Sequence, residues 1–173
     1  MATKKIVVIG PESTGKSTLS KAIAQKCQTL WVPEYARDYI ASLDRQYTEA
    51  DLTTIASGQI ATEDILLPQC PRLLVCDTDL YVLKVWSEHA FGRCNSQILH
   101  EIATRQYDMY LLTYIDVAWE YDEQREHADP GMREYFYKQY RDIVINSGVP
   151  WYDIRGNEEE RLQTALTAIN KLP

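Results

Sequence analysis

The chain has 173 residues, 45 % hydrophobic and 25 % charged, with 18 Lys and Arg against 25 Asp and Glu for a formal charge of −7. That length and mixture predict a single folded domain with its own core, neither disordered nor dependent on disulfides. The acidic balance leaves no basic stripe to track nucleic acid, no run approaches the roughly eighteen apolar residues of a membrane span, and the N-terminus lacks a secretory pattern. The expected setting is therefore cytoplasmic, with Cys27, Cys70, Cys76 and Cys94 as free thiols, since no C-x-x-C pair occurs.

In chain order, residues 5–9 are a β-branched run ending at a glycine, which predicts a buried strand. Residues 16–28 follow with Leu19, Ala22, Ile23 and Cys27 at helical spacing. Residues 30–32 predict a second strand, stopped by Pro33. Two helices are expected over 35–43 and 48–67, the latter opened by Thr48 and Asp51 at capping-box spacing and ended by Pro68 and Pro71. Residues 73–76 are wholly apolar and run into Asp77-Thr78-Asp79, so they predict a buried parallel strand that delivers carboxylates at its C-terminal end. Helices over 80–90 and 96–106, a strand over 109–113, a helix over 132–147, a strand over 151–154 and a helix over 158–171 complete the alternation. The expected fold is α/β, a three-layer sandwich with a five-stranded parallel sheet and helices on both faces, filling one domain over 1–173. Residues 117–131, polar and aromatic without a steady period, occupy the place of a lid.

Gly10-Pro-Glu-Ser-Thr-Gly15-Lys16-Ser17 fits G-x-x-x-x-G-K-[ST], and it lies between a predicted strand and a predicted helix, where such a loop belongs. Backbone N–H groups of Gly10, Ser13, Thr14 and Gly15 are expected to wrap the phosphates of ATP. Lys16 is expected to bridge the β- and γ-phosphates, and Ser17 to ligate Mg²⁺. Glu12 and Thr18 stand close enough to touch nucleotide or to serve the loop's own structure. A GTPase switch is disfavoured because the sole D-x-x-G is Asp153–Gly156, too late in the chain, and Asn170-Lys-Leu-Pro lacks the required aspartate. An ATP-driven motor is disfavoured because Thr78, not a second carboxylate, follows Asp77.

A phosphotransferase needs a base for the acceptor hydroxyl, a metal holder, cations over the transferring charge and a means of excluding water. Glu34, just past the second strand, is the candidate base; the alternative is a helix cap or a pair with Arg37. Asp77 is the candidate second metal ligand, or else a buried strand-end cap. Asp79 would share its direction if the strand pattern continued, and could bind an acceptor hydroxyl or replace Glu34. Arg125 and Arg133 are the cations of the lid region. Trp86 suits either core packing or a flat ring, Trp119 lies outside any apolar period and favours a ring, and Arg155 follows the fifth strand where adenine contacts are expected by fold analogy.

The phosphate loop, the Glu34-Tyr35-Ala36-Arg37 segment, Asp77-Thr78-Asp79 and Trp119-x-x-Asp122-x-x-Arg125 together resemble the ribosylnicotinamide kinase domain of the bacterial NadR family, in the same order and over nearly the whole chain. The resemblance implies phosphorylation of the 5′-hydroxyl of nicotinamide riboside by ATP. It implies an acceptor site around Glu34, Asp79 and Trp119, to which Tyr35, Arg37, Trp86 and Asp122 are added as candidates. The adenylyltransferase and DNA-binding domains of full-length members have no counterpart in this sequence. Val32-Pro33-Glu34 is also similar to the base-bearing segment of deoxynucleoside kinases, which is the alternative acceptor class. A nucleotide-dependent binding or regulatory module is the alternative of another kind. Oligomeric state is not legible in the sequence.

Overall fold

The computed structural model describes residues 2–121 and 124–173. Five strands, β1 (Lys4–Ile9), β2 (Trp31–Val32), β3 (Leu73–Asp77), β4 (Met109–Thr113) and β5 (Trp151–Ile154), form one sheet in the order β2-β3-β1-β4-β5. Every pairing is parallel, with Val8 beside Asp77 and Ile9 beside Leu112. The helices are α1 (Lys16–Lys26), α2 (Tyr35–Ala41), α3 (Glu49–Leu66), α4 (Leu80–Phe91), α5 (Ser96–Thr104), α6 (Pro130–Asn146) and α7 (Glu158–Ile169). None is long and apolar enough to cross a membrane.

The central strands are apolar on both faces because both faces are covered. Ile6 and Val8 pack with Leu19 and Ile23 of α1 and Leu162 and Ala165 of α7, while Val7 and Ile9 pack with Val85 of α4 and Phe136, Tyr140 and Val144 of α6. A third cluster, built on Leu52 and Ile55 of α3, Leu80 and Leu83 of α4 and Ile98 of α5, fixes the helices beside β3. Each fully buried Ile, Leu or Val contributes about 1.5–3 kcal/mol relative to exposure, so the strand ends that carry the site are held from both sides.

Two boundaries that bear on the site differ from the sequence expectation. β3 runs one residue further, to Asp77, and Thr78 then turns at φ 70, so the alternation expected to carry through Asp79 stops there. Asp79 is instead the N-cap of α4, its side chain accepting from the Tyr81 N–H. The segment expected to form a lid is shorter than 117–131, because Asp129 caps Met132 N–H and Pro130 opens α6 two residues earlier. Proline suits a first helical turn, where its missing N–H would have no partner anyway.

Candidate active site

β1 delivers the loop of residues 10–15 at the C-terminal edge of the sheet, and Gly15, at φ 77, leads into α1. Gly10 is held where a side chain cannot fit, since a Cβ would lie 2.3 Å from Thr113 Oγ1. Thr14 is fully buried; its hydroxyl lies 2.7 Å from both the Pro11 carbonyl and Thr113 Oγ1. Its side chain therefore braces the loop against β4, and only its backbone is left for a phosphate. Lys16 Nζ donates to the Pro11 carbonyl at 2.8 Å, which folds the lysine over the loop. Thr18 is exposed in the first turn of α1.

Asp77 stands beside this loop at the end of β3. Burial, reinforced by the negative charge of Glu34 and opposed by the nearby Ser17 hydroxyl, pushes its carboxyl up to about 6. Its Oδ1 is buried without a hydrogen-bond partner among the described residues. A serine hydroxyl and an unsatisfied carboxylate oxygen beside a phosphate loop are the hard oxygen donors that Mg²⁺ takes, so the residues fit the ion.

Glu34 occupies the N-cap position of α2, yet its carboxylate accepts no cap bond. It faces a narrow cleft together with Gln59, Thr78, Asp79 and Trp86. Asp79 is buried there with both oxygens engaged, Oδ1 by Tyr81 N–H and Oδ2 by the Tyr110 hydroxyl at 2.9 Å each. Burial pushes Asp79 up to about 7 against those bonds. Trp86 lines the cleft and also packs on the helical cluster of α3 and α4, its Nε1 donating to the Tyr47 hydroxyl at 2.7 Å. The packing expected of Trp86 is present, and the same side chain borders the cleft.

Tyr35 is set differently. Its ring fills the space beside Gly58, where a Cβ would approach to 2.3 Å, and its N–H donates to Gln59 Oε1. It joins α2 to α3. Arg37 is exposed on α2, and its carbonyl accepts from Gln124. Arg155 is exposed after β5, bonded to Asp153 and placed over the Tyr114 ring at 3.6 Å. Asp122 lies outside the described residues.

The segment between β4 and α6 lies across the phosphate loop. Glu12 Oε2 accepts from the N–H groups of Glu126 and His127 at 3.0 and 3.1 Å, and Ser13 Oγ accepts from Glu120 N–H at 2.9 Å. Arg125 donates to Ser13 Oγ and to the Glu120 carbonyl, while Arg133 reaches the carbonyls of Ser13 and Val117. Burial pushes the Arg133 guanidinium down. Trp119 Nε1 is buried without a partner among the described residues.

Sequence reasoning missed three neighbours of the site. Arg161 of α7 donates to the carbonyls of Thr14, Tyr114 and Gly156 and pairs with Asp116. Tyr140 of α6 is buried within the fields of Glu34, Glu12 and Asp79, and burial with those charges pushes its hydroxyl up. Gln59 lies in the cleft. All three occupy helical apolar stripes, where periodicity marks a buried face but does not distinguish packing from polar contact.

A family model described as an AAA domain matches residues 5–161, which include the phosphate loop, Asp77, the lid segment and Arg161. The chain belongs to that family. It is 24 % identical over 163 residues to the trifunctional NAD biosynthesis/regulator protein NadR of Escherichia coli (strain K12), covering 91 % of this chain and 39 % of that protein. The Salmonella typhimurium NadR is 23 % identical over 158 residues, so the chain spans about two-fifths of these curated relatives. Among solved structures, a NadR protein in complex with NR matches at TM-score 0.74 and 20 % identity, covering 98 % of this chain and 51 % of that one. The thymidylate kinase of Ehrlichia chaffeensis matches at TM-score 0.70 and 12 % identity, covering 98 % and 100 %. The fold is that of a P-loop nucleoside or nucleotide kinase, and the resemblance to NadR read from the motifs extends over most of the chain.

Proposed function

We propose that this protein transfers the γ-phosphoryl group of ATP to the 5′-hydroxyl of nicotinamide riboside, giving nicotinamide mononucleotide and ADP. The observation that carries the reading is the cleft itself. It sets Glu34, whose carboxylate makes no cap bond to α2, beside Trp86 and within the field of Asp77. Glu34 takes the proton of the 5′-hydroxyl as that oxygen bonds to the γ-phosphorus, and the bond to the β-γ bridging oxygen breaks to release ADP. Asp79, with both oxygens already engaged, holds the wall of the acceptor site rather than the proton. The loop amides and Lys16 bind the β- and γ-phosphates, and Arg125 covers the charge on the transferring group. Ser17 and Asp77 would hold Mg²⁺, which when bound neutralises phosphate charge. The lid segment and Trp119 close over the acceptor and exclude water.

The likeness to NadR supports the riboside, and the Val32-Pro33-Glu34 segment supports a deoxynucleoside as the second reading. ADP release from Mg·ATP is measured with nicotinamide riboside, nicotinic acid riboside, thymidine, deoxycytidine and uridine. A large rise confined to the pyridine nucleosides is the expected result. A rise with thymidine or deoxycytidine alone transfers the same machinery to the second reading, and no rise with any acceptor leaves a nucleotide-dependent binding module.

A further inference from the structure

Gln59 on α3 is 5 % exposed and borders the cleft beside Glu34, Asp79 and Trp86. Its Oε1 accepts the backbone N–H of Tyr35 at 2.8 Å. That bond fixes the direction of the amide, because a flipped side chain would set two donors against each other. Nε2 is then left without a partner among the described residues. A buried N–H with no acceptor is costly in a finished core, and in a cleft it is a donor held ready for a ligand oxygen.

Its neighbours narrow that ligand. Glu34 and Asp79 are acidic groups that disfavour a second anion beside them. Trp86 lines the cleft with Ile55, Val82 and Leu83, and its own N–H is occupied by Tyr47. The cleft thus combines an apolar surface, an acidic rim and one unsatisfied donor that cannot act as an acceptor. We infer that Gln59 is a specificity-determining residue that reads a neutral exocyclic carbonyl oxygen on the acceptor's base, such as the oxygen of a carboxamide. This inference rests on the kinase reading and adds to it the group by which the base is recognised. It predicts discrimination against bases that present only hydrogen there, or only an N–H donor.

The test compares nicotinamide riboside with pyridinium riboside, which lacks the carboxamide, using wild type and Gln59→Met. In wild type, loss of the carboxamide raises KM about tenfold, the worth of one buried hydrogen bond. Gln59→Met also loses the acceptor for the Tyr35 N–H, which bears on both substrates alike, so the readout is their ratio: the roughly tenfold KM advantage of nicotinamide riboside over the analogue is expected to fall to within about twofold of one. Equal rises for both substrates would reduce Gln59 to a brace for Tyr35, and discrimination that survives in the variant would assign recognition elsewhere; either result overturns the inference but leaves the kinase reading standing. If wild type phosphorylates neither riboside, that proposed acceptor fails. Binding of thymidine, which carries keto oxygens, to the two proteins then tests the donor directly, and equal affinities overturn it. Should Gln59→Met not fold, Gln59→Glu keeps an oxygen for Tyr35 without an amide donor and must lose the same discrimination at alkaline pH.

Discussion

A general base can be replaced in shape without being replaced in function. Glu34→Gln keeps the size of the side chain but cannot accept the proton, so kcat should fall by about 10²–10⁴ while the KM for ATP stays unchanged. If turnover survives in Glu34→Gln and is lost in Asp79→Asn, the base is Asp79 despite its two existing bonds. Arg125→Ala should lower kcat more than it raises the acceptor KM, because the guanidinium lies over Ser13 of the phosphate loop. Initial rates over a grid of both substrates separate these effects. The placement of Lys16, Glu34 and Asp77 was legible because each lies at the end of a strand or in the segment that leaves it, and parallel strands place their C-terminal ends together. Arg161 was not, since the carbonyl it serves at Thr14 lies 147 residues away in the chain.

At the scale of elements, capping and packing contribute in ways that a change of sequence can oppose. Asp51 accepts from Arg45 and closes the capping box of α3 with Thr48, and these bonds, the Arg45 one foremost, hold its carboxyl well below the usual range. A carboxylate depressed in the folded state stabilises above its unfolded pKa of about 4 and loses that effect as pH falls below it. Asp51→Asn should therefore melt lower than wild type at neutral pH, and the gap should narrow below about pH 4 in thermal scans. Gly58→Ala sets two effects against each other. Alanine favours the helix by about 1 kcal/mol, but its Cβ would meet the Tyr35 ring at 2.3 Å, an overpacking that costs about 1–3 kcal/mol, so urea titration should show a net loss. The order and type of the elements followed from periodicity, as did the start of α3 from its capping pair. The end of β3 did not, because the positive φ of Thr78 belongs to a turn that non-glycine residues rarely signal. The start of α6 was missed by two residues, although Asp129-Pro130 is the kind of signal that opens a helix.

At the scale of the molecule, the site is held together by α7 as much as by the strands. Arg161 is 4 % exposed and joins the phosphate loop, the end of β4, the turn after β5 and Asp116 through one guanidinium. Arg161→Met would leave those carbonyls and Asp116 without their donor, and should cost about 3–5 kcal/mol in chemical denaturation. The bonds of Glu12 and Ser13 to the segment across them lead further. Whatever free energy the nucleotide gains from a loop held in this shape, the segment gains from a nucleotide that holds the loop, and the two gains are equal by thermodynamic linkage. Opening the segment by Glu12→Ala should therefore weaken ATP by the same factor by which ATP, at saturation, shields residues 117–129 from protease. A segment tied to the phosphate loop in this way is also a reporter, because its protection reads the occupancy of that loop without any acceptor being turned over.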